Sequence, residues 1–160
     1  MPDDKQTKFL LDEAELPTHW YNLNADLEAL DVEMAPVLNP ETHDPAGPAD
    51  FADIFPEPLV HQEMGTDRHV PIPEPVRDVY RLWRPTPMYR AHQWEEKLET
   101  PAKIFYKYEG VSPTGSHKPN TSVPQAYFNA EAGTTRLTTE TGAGQWGSAL
   151  SFATQMYDLD

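Results

Sequence analysis

A lysine stands immediately before a predicted helix, at the end of the segment Gly115-Ser-His-Lys118. The helix is predicted to begin near Pro119, because proline is favoured at the first helical position. A helix N-terminus favours anions over cations, so its field favours the neutral amine that forms an imine with an aldehyde. The same helix end can receive a phosphate. This combination is what a pyridoxal phosphate site requires, and a solvated surface lysine is the alternative interpretation.

A second loop, Glu140-Thr-Gly-Ala-Gly-Gln-Trp-Gly147, also joins a predicted strand to a predicted helix. Its glycines have the spacing of a dinucleotide-binding fingerprint, but the acidic residue expected about 20 positions later falls beyond Asp160. Successive free amides in such a loop bind a carboxylate as readily as a pyrophosphate. Glu140 is a candidate proton shuttle, and a helix-cap or ion-pair carboxylate is its alternative role.

Other kinds of chemistry find little support in the sequence. There is no cysteine, which excludes disulfides and thiolate metal ligands. The 6 histidines do not occur at the close spacing of a metal pair, so we expect no zinc site. A Walker lysine loop and a Gly-x-Ser-x-Gly elbow are also absent from the sequence.

Charge is distributed unevenly along the 160 residues. The sequence carries 26 acidic and 12 basic side chains, a net charge of −14. Residues 1–80 hold 18 acidic and 4 basic side chains, whereas residues 81–160 hold 8 of each. Such an acidic chain repels phosphate backbones, so we expect no nucleic-acid partner. It has neither a long apolar run nor a secretory leader, so we expect no membrane association and a cytoplasmic location.

Proline and glycine divide the chain at the same place. Eleven of the 17 prolines lie in residues 1–80, and six of the 8 glycines lie in residues 81–160. We therefore predict an acidic, proline-rich N-terminal arm over 1–80, followed by the first part of a cofactor-binding and substrate-binding α/β domain over 81–160. Helices are predicted in the first region at Ala25–Leu30, with Asn24 as N-cap, and at Pro73–Trp83.

The second region alternates predicted strands and helices. Strands are predicted at Lys103–Glu109 and Arg136–Glu140. The predicted helices cover Ala91–Leu98, Pro119–Gly133 and Gly147–Tyr157. This order is typical of a parallel α/β unit. Two strands do not complete a doubly covered parallel sheet, so we expect this chain to be a fragment or to need a partner.

Three segments together resemble the tryptophan synthase β-chain family. They are Arg84-Pro-Thr-Pro87, Lys107–Thr121 and Glu140–Gly147. Trp146 indicates the second, longer, β-chain-like subgroup, because the ordinary β chain has histidine at this point. The acidic arm also matches that subgroup, as do Thr18–Asn22 and Leu38–Thr42. The resemblance covers roughly residues 16–157, and its lysine and glycine-loop motifs together are highly specific.

The resemblance implies a fold and a cofactor. The expected fold is the N-terminal portion of a fold-type II pyridoxal-phosphate enzyme, a three-layer α/β structure with a parallel sheet, preceded by an irregular arm. Lys118 corresponds to the lysine that forms an imine with pyridoxal 5'-phosphate. His117 corresponds to a contact of the cofactor phosphate, Asn120 to the asparagine next to the ring, and Gln145 to a further cofactor contact.

The resemblance also implies an activity. Glu140 corresponds to the catalytic acid-base, and the substrate carboxylate is expected on Thr141, Gly142, Ala143, Gly144 and Gln145. The implied reaction is the replacement of the β-substituent of L-serine, or of an O-substituted serine, by indole to give L-tryptophan. The full-length form is expected to be a homodimer, and binding of an α subunit stays open.

The family is more than twice as long as this chain. Its glycine-rich phosphate cup and its partner for the pyridine nitrogen lie in a part that is absent here. We therefore expect the 160-residue chain alone to bind pyridoxal phosphate weakly or not at all and to be inactive.

Three alternatives remain at this point. One is another fold-type II enzyme, such as a threonine synthase or a serine/threonine dehydratase, although Glu140 favours the β chain. The second is a non-catalytic fragment that folds only with a complementing chain. The third is a nicotinamide-binding protein.

Overall fold

The computed structural model describes residues 5–32, 34–52 and 54–160, which form a mixed α/β structure. Within these residues there are five short strands. They are β1 (Lys8–Phe9), β2 (His19–Tyr21), β3 (His69–Pro71), β4 (Met88–Arg90) and β5 (Phe105–Lys107). The seven α-helices are α1 (Asn24–Ala29), α2 (Pro48–Phe51), α3 (Glu57–Met64), α4 (Glu74–Tyr80), α5 (His92–Lys97), α6 (Pro119–Glu131) and α7 (Gln145–Met156). Two 3-10 helices cover Glu13–Glu15 and Glu109–Val111.

The strands form two small sheets. One has the order β1-β4-β5, with Tyr89 opposite Lys8 on one side and opposite Tyr106 on the other. The second pairs β2 with β3, placing Trp20 opposite Val70. Every pairing between these strands is antiparallel. The described residues therefore form no parallel sheet. They do have the expected mixed α/β class.

Two strand predictions differ from the structure. The strand predicted over Lys103–Glu109 is present but contains only Phe105–Lys107. The strand predicted over Arg136–Glu140 is wrong, because that segment pairs with no strand among the described residues. The segment does meet Asp160, since Leu137 donates to the Asp160 carbonyl oxygen at 2.8 Å and Asp160 donates to that of Thr135 at 3.0 Å. This single bridge is shorter than the ladder of hydrogen bonds that makes a strand.

The predicted helices are all present, within a few residues at each end. Pro119 and Pro75 lie in the first turns of α6 and α4, as expected from their missing N–H groups. The predicted N-cap of α1 is wrong. Asn24 is the first residue of that helix, and its backbone N–H is bound 3.0 Å from Oδ1 of Asn22.

The hydrophobic core lies where α4, α6 and α7 meet. Its buried members are Ile72, Val76, Tyr80, Trp83, Val123, Ala126, Ala153 and Leu159. The Trp83 ring contacts the rings of Tyr80 and Phe152 edge-on. The core thus combines side chains from both sides of residue 80, and β1 pairs with β4 across the same position. The division into an arm and a domain remains a prediction.

Helices α6 and α7 run in the same direction. Ser122 in α6 donates a hydrogen bond of 2.8 Å to the carbonyl oxygen of Ala149 in α7. Further along, the ring of Tyr127 lies 5.6 Å from that of Tyr157, which follows the last turn of α7. Since both positions advance together, the two helices are parallel, and their N-terminal ends lie at the same end of the pair.

Tyr80 joins the core to the first turn of α6. Its side chain is buried, and its hydroxyl donates a hydrogen bond of 2.5 Å to the carbonyl oxygen of Asn120. Burial raises the pKa of Tyr80 to about 12, although a hydrogen bond from Trp20 and the charge of Arg84 oppose this effect. The hydroxyl therefore stays protonated and can donate.

In the described part of the chain, no helix combines the length and the apolar character needed to cross a membrane.

Val76→Ala should lower the free energy of unfolding by about 2 kcal/mol, because two buried methyl groups leave a cavity in the core. Val76 is fully buried, whereas Val37 has 64% of its surface exposed. Val37→Ala is therefore the matched control and should change stability by less than about 0.5 kcal/mol. Denaturant unfolding measures both variants. Equal effects would contradict the assignment of Val76 to the core.

Stability should fall between pH 10 and 12 because of Tyr80. The unfolded chain loses the tyrosine proton near pH 10, whereas the folded chain retains it up to about pH 12. This contribution is complete below pH 10 and is lost as the pH rises through 12. Tyr80→Phe should cost about 1 kcal/mol at pH 7, through the lost hydrogen bond, and should make the alkaline decline shallower. Tyr106→Phe, at an exposed position, is the control and should leave the decline unchanged. An unaltered alkaline slope in Tyr80→Phe would refute the assignment.

Candidate active site

The loop before α6 is closed by a pair of serine contacts. The Ser112 hydroxyl donates to the carbonyl oxygen of Ser116 at 2.6 Å and accepts from its backbone N–H at 3.0 Å. Both serines are buried. Gly115, between them, has a φ of +69°, a conformation that glycine adopts without steric cost. These contacts fix the direction in which the backbone enters Lys118.

Lys118 is the N-cap residue of α6 and is half-buried. Its backbone N–H is bound 3.4 Å from the Ser116 hydroxyl. Within the described ranges, its ammonium group makes neither a hydrogen bond nor an ion pair. His117 precedes it and is exposed. The amine predicted to bind the cofactor therefore has no competing partner among these residues, and it stands beside a helix N-terminus that favours an anion.

Asn120 lies in the first turn of α6 and is held at two points. Its side-chain Nδ2 donates to Oε2 of Glu109 at 3.1 Å, and its carbonyl oxygen accepts from Tyr80. Its side-chain Oδ1 is buried and has no hydrogen-bond partner among the described residues. A buried acceptor without a donor costs about 1–3 kcal/mol, so Oδ1 marks a place where a donor from a further group would be stabilising.

The glycine loop is exposed and open. Gly144 caps α7 with a φ of +85°, and Gln145 is the first residue of the helix. Apart from the glycine itself and its two chain neighbours, no atom of the described residues lies within 4 Å of the point where a Cβ of Gly142 or Gly144 would stand. A ligand can therefore approach the backbone closely at both glycines, as carboxylate binding by free amides requires.

Gly147 has a different reason to be glycine. A Cβ there would lie 3.0 Å from Cγ2 of Thr141. Oγ1 of Thr141 accepts the Gly147 N–H at 3.2 Å, and the Trp146 indole N–H donates to Thr139 at 2.7 Å. These contacts fold the loop back onto the start of α7.

Glu140 lies at the end of the extended segment that leads into this loop, and it is exposed. Across the residues that the structure describes, its carboxylate neither caps a helix nor pairs with a cation. The two alternative roles for Glu140, a cap or an ion pair, are therefore not formed here.

The parallel packing of α6 and α7 brings the two loops to one end of the helix pair. Lys118 and Asn120 start one helix, and Gly144 and Gln145 start the other. Both N-termini carry a positive end of a helix dipole, so the arrangement favours two anionic groups, such as a phosphate and a carboxylate. Groups of three or more potential metal-ligating side chains do not occur in the described ranges.

Sequence reasoning missed two residues that hold this site. Glu109 and Tyr80 position Asn120 through its side chain and its backbone. Glu109 lies inside the segment Lys107–Thr121 that carries the resemblance, but nothing in its spacing distinguishes it from neighbouring polar residues. Tyr80 lies inside the predicted helix Pro73–Trp83, but no sequence pattern indicates its contact with Asn120.

Comparison with protein families places residues 79–160 in a family described as "Pyridoxal-phosphate dependent enzyme". Individual relatives match more of the chain. It is 59% identical over 156 residues to "Tryptophan synthase beta chain 2" of Methanosarcina acetivorans, which covers 98% of this chain and 35% of that protein. The protein of the same name from Aquifex aeolicus is 60% identical over 152 residues, or 95% of this chain and 34% of the relative.

A third relative, "Tryptophan synthase beta chain 2" of Thermotoga maritima, is 55% identical over 146 residues, which cover 91% of this chain and 34% of the relative. The chain therefore spans about a third of the length of the curated relatives it matches. Both loops described above lie within the residues matched by the family model. This chain belongs to the family of pyridoxal-phosphate dependent enzymes, and within it the chain is similar to tryptophan synthase beta chain 2.

Proposed function

We propose that this chain supplies the reactive lysine and the carboxylate-binding loop of a tryptophan synthase β-type enzyme, a carbon–oxygen lyase. The reaction joins L-serine, or an O-substituted serine, to indole and releases the β-substituent, which is water in the case of serine. The observation that carries this proposal is the common end shared by the N-termini of α6 and α7. Lys118, which is without a side-chain partner among the described residues, stands at one of them, and open glycines stand at the other.

The residues present fit pyridoxal phosphate. Within the described ranges, the Lys118 amine has no partner and Oδ1 of Asn120 is a buried acceptor without a donor. His117 and the first turn of α6 offer donors for a phosphate. When bound, pyridoxal phosphate supplies an electron sink for a carbanion at the amino-acid α-carbon. We assign Lys118, His117, Asn120 and Gln145 to its binding.

The glycine loop would orient the amino acid. Its free amides, from Thr141 to Gln145, would bind the substrate carboxylate and leave the α-proton facing the Lys118 amine. Lys118 would take that proton, as a positioned base. Glu140, at the entrance of the loop, would donate a proton to the departing β-oxygen and accept one from indole when the new carbon–carbon bond forms.

A complete enzyme of this type is longer than these 160 residues. The relatives are about three times as long as the part that matches. We infer that pyridoxal phosphate binds firmly only when the remaining part is supplied, and that the complete form is a homodimer. The alternative is a non-catalytic fragment, and the following experiment distinguishes the two.

Borohydride should fix pyridoxal phosphate on Lys118. The 160-residue chain is reduced with borohydride after addition of pyridoxal phosphate, alone and together with the part of the Methanosarcina acetivorans relative that this chain does not match. We expect little labelling of the chain alone and stoichiometric labelling of the Lys118 peptide in the mixture, because the second part completes the cofactor site.

The matched controls are Lys118→Arg, which should lose at least about nine-tenths of the label, and Lys97→Arg at an exposed position, which should keep it. Peptide mapping by mass spectrometry reads the result. Label on another lysine, or no label even in the mixture, would refute the assignment of Lys118.

Glu140→Gln should reduce tryptophan formation by the same mixture by about 10²–10⁴-fold, the usual loss when a positioned acid-base is removed. Borohydride labelling of Lys118 should be unchanged, since Glu140 does not hold the cofactor. Glu131→Gln, on an exposed residue of α6, is the control for the loss of one carboxylate. An active Glu140→Gln variant would show that another group moves these protons.

A further inference from the structure

A chain of hydrogen bonds leads from β5 to the first turn of α6. Lys107 in β5 donates through its ammonium group to the carbonyl oxygen of Thr86. The Thr86 hydroxyl donates to Oε1 of Glu109 at 2.7 Å, and Asn120 donates to Oε2 of the same carboxylate at 3.1 Å. Thr86 is buried and Glu109 is half-buried. Both carboxylate oxygens of Glu109 are therefore engaged in the structure, and both are acceptors.

The carboxylate decides which way the Asn120 amide turns. An ionised carboxylate can only accept hydrogen bonds, so the amide must present its NH₂ group to Glu109 and turn its oxygen away. A hydrogen bond to a charged acceptor contributes about 1.5–3 kcal/mol, enough to hold one orientation. This orientation leaves Oδ1, on the other side of the amide, buried without a donor in the described part of the chain.

Two different elements thus fix Asn120, two residues after the reactive lysine. Glu109 holds its side chain, and Tyr80 holds its backbone carbonyl. A binding site needs such support, because a side chain keeps the geometry required to contact a ligand only when its own rotamer is locked. The spacing of residue types in the sequence predicts no role for Glu109.

We propose that Glu109 is a positioning residue for the cofactor site, which acts through the orientation of the Asn120 amide. This inference rests on the proposed function, since it assumes that pyridoxal phosphate is captured by Lys118. Glu109 makes no hydrogen bond to Lys118 and is proposed to act on the cofactor only through Asn120. Its loss leaves Asn120 free to turn and so weakens capture of the cofactor.

The test uses the mixture of this chain with the complementary part of the Methanosarcina acetivorans relative. The quantity measured is the pyridoxal phosphate concentration that gives half-maximal borohydride labelling of Lys118. Glu109→Ala should raise it about tenfold, as expected when one hydrogen bond to a charged group is lost. Glu109→Gln should raise it less than about threefold, because its amide oxygen can still accept from Asn120 while its NH₂ donates to the Thr86 hydroxyl. Glu96→Ala, on the exposed side of α5, should have no effect.

A double-mutant cycle separates positioning from general support of the fold. If Glu109 acts through Asn120, then Glu109→Ala should add less than about twofold to the effect of Asn120→Ala. Additive effects, or equal labelling of Glu109→Ala and the unaltered chain, would overturn the proposal. Denaturant unfolding of each variant identifies any that fails to fold. If Glu109→Ala does so, Glu109→Asp, whose carboxylate stands one methylene further from Asn120, takes its place in the cycle.

The two proposals fail in different ways. No labelling of Lys118 in the unaltered mixture would overturn the proposed function and this inference together. Labelling that is normal in the unaltered mixture but insensitive to Glu109 would overturn only the inference. The absorbance spectrum of the bound cofactor gives a second reading, because a turned Asn120 amide changes the charge distribution that the cofactor meets, whereas a purely structural loss leaves the spectrum unchanged.

Discussion

The close parallel packing of α6 against α7 is the interaction on which the candidate site depends. The side chains at the contact are small, and Ser122, Ala126, Ala149 and Ala153 are all fully buried. Small side chains let two helix backbones approach, and the approach is close enough for Ser122 to donate directly to a carbonyl oxygen of the other helix. Because the helices are parallel, the loops that precede them meet at one end. Larger side chains at these positions would separate the helices and, with them, the lysine from the glycine loop.

The polar residues around α6 form two groups: those that hold its first turn in place, and those that are proposed to take part in the chemistry. Tyr80 and Glu109 hold the first turn from the core and from the segment after β5. The side chains of Lys118 and Glu140 have no partner within the described residues, and the glycine loop is exposed. Reactive groups on loops that a packed scaffold positions are the usual arrangement in binding and catalytic sites.

The uneven charge of the chain does not coincide with a break in its packing. Residues 1–80 carry all of the net charge, yet Ile72, Val76 and Tyr80 belong to the same core as Val123 and Ala153. Charge reflects the exposed side chains, whereas the core is built from the few apolar residues at helical spacing. A boundary read from charge and proline content therefore describes the surface of the molecule, and packing can continue across it.

Local features of the sequence are enough to predict the helices that carry the site and the chemical types at their ends. Pro119 before an apolar repeat, glycines before Trp146, and a lysine at the helix start are local features, and local features are set by backbone sterics and hydrogen-bonding capacity. The family also followed from these residues, because the two motifs occur together.

Which elements meet depends on the packing of segments that are distant in the sequence. The expected strand at Arg136–Glu140 is not formed, because within the described residues the backbone of this segment bonds to another segment only where Leu137 meets Asp160, and the strands that do pair are antiparallel. The supporting roles of Tyr80 and Glu109 arise from contacts with Asn120 that are 40 and 11 residues away in sequence. Pairings of this kind depend on how distant segments pack together, and no local pattern of residue types records that packing.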